Sequence, residues 1–435
     1  CFYGIGVRLI FVFPGYYAFD NTFIMNPFLA IILAVLIGHY LIELITDWLN
    51  VRHLSEKLPA EFKDYYDAEK YKTSQNYLRD NTKFGIITDT PMTLLTLVFI
   101  VVGGFNYIDR IARAPGWGPV PTGLLFAGII VLASKIINIP FSIYETFVIE
   151  EKYGFNKTTP KTFVLDIIKS LILTAIIGGI ILSIILWFFG KFENTAWLYC
   201  WAAVTAFQIF LMFIAPFVIM PLFNKFVPLE DGELKTAIED YARSQNFKMK
   251  GVFKMDGSKR SAKSNAFFTG FGKSRRIVLF DTLIEKHTTA ELVAVLAHEM
   301  GHYKKKHILK AIIRSVLTMG ATFFLLSLFI RNAKLFAAFK MEHLSIYASL
   351  VFFGFLYTPF AMLIGIIESI ISRKQEYEAD AYTVETTKNT EPMINALKKL
   401  SVDNLSNLTP HPLKVFLSYS HPPVLKRIEA IRKCN

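Results

Sequence analysis

The sequence predicts an all-α polytopic membrane protein, and three observations carry that prediction. Hydrophobic residues make up 53% of the 435 positions, above the 45–50% usual for soluble domains, and charged residues only 19%. Apolar runs near the ~20 residues needed to cross a bilayer core recur along the chain. The basic residues gather in the polar segments between those runs rather than in one cluster.

About seven spans follow. They are expected at Asn26–Leu49, Pro91–Ile111, Val120–Val148 (interrupted by Pro140), Phe163–Phe189, Trp197–Phe223, Ile312–Ile330 and Ile346–Ile371. The apolar piece before Asn26 holds Pro14 and Gly15 and reads as a lead-in. The chain starts at Cys1 rather than Met, so further N-terminal sequence is expected. No secretory signal is evident, and the ending "RKCN" is neither a prenylation box nor a retention signal.

The net charge of +12 raises nucleic-acid binding, but the distribution argues against it. Segment 51–90 holds seven Lys/Arg, 149–162 holds three, and 224–310 is strongly basic. The positive-inside bias then puts these segments and the C-terminal tail in the cytoplasm, with the N-terminus outside. The bilayer is the expected partner and nucleic acid is not; a monomer is expected. Cys1, Cys200 and Cys434 are too scattered for a disulfide framework or a thiolate metal site.

Four segments organise the chain: 1–223 with five spans, 224–310 polar, 311–372 with two spans, and 373–435 polar. Within 224–310, "GELKTAIEDYARSQNF" has helical periodicity. "SNAFFTGFGKSRRIVLFD" reads as a β-hairpin about a glycine-containing turn. A helix follows, and Thr288 with Glu291 makes a capping box at its start.

That helix carries "AHEMGH". His298 and His302 are one turn apart on one face, so both imidazoles can reach one zinc ion. Glu299 lies beside that position, where a carboxylate can take a proton from the attacking water. A catalytic zinc needs a third protein ligand and an open position. "SRKQEYEADAY", just after the seventh run, offers Glu376 as ligand. Asp380, four residues on, can hydrogen-bond a ligating histidine or act in proton transfer. His307 is five residues past His302 and reads as a helix-end or supporting residue. In "SYSHPPVLKRIEAI", His421 can donate to a developing oxyanion, with Arg427 assisting. Asn265, Ala266 and Phe267, in an edge strand before the metal helix, can bind an extended peptide by strand addition.

Six blocks then agree in order with one family: "PFSIYETFVIEEKYGFNKTT", "PLFNKFVPLEDGELKTAIE", "DGSKRSAKSNAFFTGFGKSRRIVLFDTL", "VLAHEMGHYKKKH", "SRKQEYEADAY" and "SYSHPP". Over roughly residues 26–432 the chain resembles the integral-membrane CAAX prenyl protease type 1 family, whose members process a prenylated yeast mating pheromone and prelamin A. The resemblance implies a zincin-type catalytic domain and seven membrane helices forming a barrel around a large chamber, with one zinc per chain facing inward. It implies zinc ligands at His298, His302 and Glu376, the general base at Glu299, and support from Asp380. It also implies a substrate strand at Asn265 and an oxyanion site at His421 and Arg427.

Here "IEKHTTAE" joins the last strand directly to the metal helix, where animal members carry a long insertion, and no dilysine tail is present. Those departures favour a bacterial homologue in the cytoplasmic membrane, with an endoplasmic reticulum membrane if the source is eukaryotic. The expected activity is endoproteolysis of lipidated or apolar C-terminal segments. The alternatives are a membrane-protein quality-control protease of the heat-inducible type and a non-enzymatic membrane protein with a structural metal site.

Overall fold

A computed structural model describes residues 26–270 and 275–434. The lead-in before Asn26 and the tip of the hairpin lie outside the described residues. The first membrane helix, α1 (Pro27–Arg52), starts on a polar cap followed by proline: Asn26 Oδ1 accepts the Phe28 amide at 2.9 Å. Proline at that position lacks only an N–H that the helix would leave unpaired. The helix α5 (Pro160–Leu173) repeats the device with Thr159 and Pro160.

Seven helices among the described residues are long and apolar enough to cross a membrane. They are α1; α2 (Ala68–Val101); α4 (Pro119–Tyr144), prolonged by a π-type segment (Glu145–Glu150); and α5 with α6 (Gly179–Lys191), joined by a second π-type segment. The rest are α7 (Ala196–Ile214), α11 (His307–Phe329) and α13 (Ile346–Thr387).

Two expected spans are corrected. The second does not cover Pro91–Ile111. It starts at Ala68 and stops at Val101, where Gly103 adopts φ 81°. Residues 104–113 form a separate helix, α3 (Gly104–Arg113), whose Phe105 and Ile108 are buried in protein rather than turned to lipid. The fifth span ends at Ile214; the apolar residues beyond it form turns and a short 3-10 segment, Met220–Leu222. The domain division drawn at 372/373 falls inside α13, which runs unbroken for 42 residues.

The spans close into a ring through neighbouring contacts. Helix α1 packs on α2, α2 on α3 and on the π-type end of α4, and α4 on α6. The circuit continues from α6 to α7, α7 to α11, α11 to α13 and α13 back to α1. Only 6–17% of the residues in the most apolar stretch of each span are buried. A helix in a solid bundle buries an apolar stripe of at least ~100°, roughly a third of its surface. The ring is therefore hollow.

Its two ends are filled. At one end a core of Phe105, Phe126, Leu186, Phe339 and Phe352 packs α3 and α12 (Ala333–Ala338) against the spans. The rings of Phe339 and Phe352 stack with centroids 3.7 Å apart. The middle stretches carry polar pairs such as Arg314–Glu368 at 2.8 Å and Tyr40–Thr90 at 2.6 Å. Polar groups at membrane depth are expected to face a bundle interior or a water-filled cavity.

The other end holds the polar blocks. Four strands, not a hairpin alone, form a mixed sheet in the order β1-β2-β4-β3. They are β1 (Phe226–Pro228), β2 (Gly251–Met255), β3 (Ala266–Thr269) and β4 (Arg276–Phe280). β2 and β4 run parallel, and β3 is an edge strand antiparallel to β4. Helix α8 (Glu233–Ser244), the short α9 (Asp281–Lys286) and helix α10 (Thr289–Lys304) cover the sheet. Leu292, Leu296 and Met300, at helical spacing along α10, join Val252, Ile277 and Leu279 in one core. Three further helices, α14 (Glu391–Asp403), α15 (Pro412–Ser418) and α16 (Val424–Arg432), complete this end.

At the filled far end Gly123 is tightly enclosed: an added Cβ would lie 2.5 Å from Leu186 and 2.9 Å from Tyr347. Gly123→Val should lower stability by about 1–3 kcal/mol. Thermal unfolding in detergent checks this, with Gly128→Val, where nothing lies within 4 Å, as the reference. Equal melting temperatures for the two variants would contradict the packing described.

Candidate metal centre

Helix α10 begins with the expected capping box. Thr288 Oγ1 accepts the Glu291 amide, and Glu291 accepts the Thr288 amide at 2.9 Å. With its start fixed, α10 turns three stripes in three directions. Leu292, Leu296 and Met300 face the sheet; Gly301 meets α13; His298 and His302 point into the gap between.

The approach of α10 and α13 is set at Gly301. A Cβ there would fall 3.0 Å from the Ala379 Cα and 3.2 Å from its carbonyl oxygen. Glycine and alanine at the crossing let the backbones come close. Glu376, one turn back along α13, then reaches both histidines.

Two imidazoles and one carboxylate converge, with one ligand atom from each lying within 4.8 Å of the others. His298 Nε2 and His302 Nε2 are 3.2 Å apart. Glu376 Oε2 is 3.3 Å from His298 Nε2, and Glu376 Oε1 is 3.3 Å from His302 Nε2. A tetrahedral zinc with bonds of 2.0–2.1 Å has ligand–ligand edges of about 3.3–3.4 Å. The set fits zinc by donor type, spacing and burial. Glu376 Oε2 is buried without a well-formed hydrogen bond.

The charges argue the same way. Glu299, Glu376 and Asp380 face a single guanidinium, that of Arg427. Burial opposes a charge on His298, but hydrogen bonds to Asp380 and Glu376 outweigh it and push the imidazole up to about 9. The pocket attracts positive charge, as a divalent-cation site must.

Each of the three candidate ligands is held from behind. His298 Nδ1 lies 2.9 Å from Asp380 Oδ1, the carboxylate–histidine support typical of zinc sites. Arg427 donates to both Asp380 oxygens, at 2.8 and 2.6 Å, and its Nη1 lies 3.2 Å from Glu376 Oε2. Its guanidinium therefore faces α13 and is buried. His302 Nδ1 lies 3.1 Å from His307 Nδ1, and His307 Nε2 lies 3.0 Å from Glu378. His307 thus supports a ligand, as its spacing suggested.

Two further groups sit at the site. Glu299 follows His298; burial pushes its carboxyl up from the usual carboxylate range, and His298 and His302 pull it back. His421 is exposed, and its Nε2 lies 3.4 Å from Glu376 Oε1. Ser420 Oγ is 3.0 Å from its Nδ1.

Asn265 stands just before β3, and its Oδ1 accepts the Ala266 amide at 2.8 Å. The Phe280 amide donates to the Asn265 carbonyl at 3.1 Å, and the register pairs Ala266 with Leu279. Ladder bonds alternate along an antiparallel pair. Phe267 therefore turns its peptide groups toward β4, and the Ala266 carbonyl and both peptide groups of Phe268 turn to the open edge, the Ala266 amide being taken by Asn265 Oδ1. Beyond the end of that edge an apolar cavity of about 600 Å³ is lined by Met212, Met220, Phe268, Tyr303 and Leu309, with Lys304 and Lys306 among its walls.

Sequence reasoning left three contributors unassigned. Gly301 sits inside the quoted motif, and its need for a bare backbone shows only once α13 is in place. Asn404 reaches the segment before β3 from far along the chain, and Lys263, within that segment, reaches out to Tyr77 and Glu150. A lysine two residues before Asn265 was the available signal for Lys263.

A hollow helical ring carrying such a centre defines a class: the integral-membrane metallopeptidases whose zinc motif is completed by a glutamate. The comparisons refine it. Residues 47–225 match the profile described as CAAX prenyl protease N-terminal, five membrane helices, and residues 228–435 match peptidase family M48. The chain is 37% identical to CAAX prenyl protease 1 of Saccharomyces cerevisiae, over 93% of this chain and 95% of that protein. It is 32% identical to the CAAX prenyl protease 1 homolog of Homo sapiens, over 86% and 88%. The crystal structure of S. mikatae Ste24p superposes with a TM-score of 0.88 at 38% identity, covering 93% of this chain and 99% of that one. The chain belongs to the integral-membrane CAAX prenyl protease 1 family of M48 zinc metalloproteases.

If the Gly301 contact sets the ligand spacing, Gly301→Ala should drive α10 off α13 and cost zinc. Elemental analysis of the purified variant should give substoichiometric zinc, against one zinc per chain in the parent. Full zinc retention would show that the helix approach does not position the ligands.

Proposed function

We propose that this membrane metallopeptidase cleaves prenylated substrates near their C-terminus, with His298, His302 and Glu376 holding one zinc. The observation that carries the reading is the convergence of three donor atoms with Glu299 beside them and His421 above. A structural zinc site would be closed by four protein ligands. Among the described residues three converge, so a coordination position is left for chemistry. Zinc bound there supplies Lewis acidity toward water and toward the scissile carbonyl.

The residues do the rest. The peptide lies antiparallel along the outer edge of β3, paired with the Ala266 carbonyl and the main chain of Phe268 and oriented by Asn265. Glu299 takes the proton from the attacking water and passes it to the leaving amine nitrogen. His421 donates a hydrogen bond to the carbonyl oxygen as that atom gains charge. Asp380 fixes the ring and tautomer of His298. Arg427, engaged by Asp380 and Glu376, acts through them and not on the oxyanion directly. The apolar cavity past Phe268 is where a lipid chain or an apolar side chain would lodge.

The printed names of the relatives support a CAAX-type substrate. They come from eukaryotes, which supports the endoplasmic reticulum alternative over a bacterial membrane. The basic loops support a site on the cytoplasmic side. The enzyme is proposed to act as a monomer, since the ring and the site are both built from one chain.

Glu299→Gln tests the chemistry. Zinc content should stay at one per chain while peptide cleavage falls at least ~100-fold. Cleavage surviving that change would remove Glu299 from the mechanism. A second assay tests the substrate: a farnesylated C-terminal peptide should be cut with higher kcat/KM than its unprenylated counterpart. Equal or reversed rates would favour the quality-control reading.

A further inference from the structure

The segment leading into β3 is fastened on two sides. On the sheet side, Asn404 pairs reciprocally with the Ser264 backbone: its Oδ1 accepts the Ser264 amide at 3.1 Å, and its Nδ2 donates to the Ser264 carbonyl at 3.3 Å. Thr282 Oγ1 donates to the Lys263 carbonyl at 3.0 Å. On the membrane side, the same segment is laced to the loop between α4 and α5. The Lys157 amide donates to the Arg260 carbonyl and the Ala262 amide to the Phe155 carbonyl, both at 3.0 Å. Arg260 makes a two-pronged pair with Asp166 of α5, at 2.7 and 2.9 Å.

Lys263 is the centre of the membrane-side fastening. Its Nζ donates to Tyr77 Oη of α2 and to Glu150 Oε2, which ends the π-type segment of the third span, both at 2.8 Å. Tyr77 also donates to Glu150. The ammonium stands 4.5 Å from the centroid of Phe155 and 5.2 Å from that of Tyr77. One charged side chain, two residues before Asn265, thus binds two different membrane helices at once.

Stability alone is a weak reason for such a cluster. A partly buried ion pair is often no better for stability than well-packed apolar groups of the same volume, and its distinctive use is to fix one arrangement. The three partners hold the entry of the substrate strand at one height against the membrane helices. We propose that Lys263, with Glu150 and Tyr77, is a positioning residue: it holds the entry of β3 so that the open edge is presented for pairing with the peptide, and so acts on substrate binding rather than on the chemical step. This rests on the reading of β3 as the substrate strand.

The test uses purified full-length protein in detergent and the farnesylated C-terminal peptide. Lys263→Met keeps the stem against Phe155 and Tyr77 and removes the charge. KM should rise about tenfold with kcat within about twofold, the pattern of binding lost equally from ground state and transition state. Zinc content and melting temperature should match the parent. Lys263→Arg should restore KM to within about threefold. Glu150→Gln should raise KM alike, and the double variant Lys263→Met/Glu150→Gln should be no worse than either single change. Ala266→Pro, which removes the amide that holds Asn265 Oδ1 at the open edge of the strand itself, separates the two readings. If Ala266→Pro raises KM and Lys263→Met does not, the strand reading stands and the role of Lys263 is overturned. If neither raises KM, both fall. A loss of kcat in proportion to a loss of melting temperature would make the cluster merely structural and overturn the proposal.

Discussion

Everything at the site depends on how closely two helices approach. Three donor atoms must stand about 3.3 Å apart for one zinc to hold them. Two come from α10 and one from α13, so the helix crossing sets the spacing. Gly301 against Ala379 permits that crossing, and Asp380, itself clamped by Arg427, ties α13 to His298 of α10 across it. Neither device belongs to the ligand set, yet the ligands have no common point without them.

The same crossing explains the architecture. Helix α13 spans the ring and then continues, without a break, into the peptidase end. Helix α11 starts at His307, directly after α10, with Lys306 as the turn between them. The zinc site is therefore built onto the ends of two membrane helices, and its position against the hollow ring follows from chain continuity. A soluble metallopeptidase would have to orient its two helices by packing alone. Here the ring of spans contributes to that orientation, and the loop after the third span reaches back to the segment before β3.

Much of this was legible in the sequence. Local signals held: the capping box at Thr288 and Glu291, the edge strand expected over Asn265–Gly270 and found at Ala266–Thr269, and the helical spacing that groups His298 with His302. Glu376 could be singled out too, because a metal motif with two histidines calls for a third donor, and its carboxylate lies 3.3 Å from both imidazoles. The second span failed for a definite reason. Phe105 and Ile108 are as apolar as lipid-facing residues, but they are buried in the aromatic plug, and hydropathy does not separate the two surroundings. Strands β1 and β2 were too short to show periodicity, and β2 is paired in parallel with a strand reached only after a long connection. The ties at Gly301, Asn404 and Lys263 were hidden because each becomes meaningful only beside residues far away in the chain.

The central claim is that two histidines and one glutamate, and no fourth protein ligand, hold the metal. X-ray absorption at the zinc edge of the purified protein tests it directly. The account predicts a light-atom shell at about 2.0–2.1 Å, with outer scattering from two imidazoles and a remaining position filled by an exchangeable ligand. Outer scattering from a third imidazole, or a sulfur shell near 2.3 Å, would contradict it.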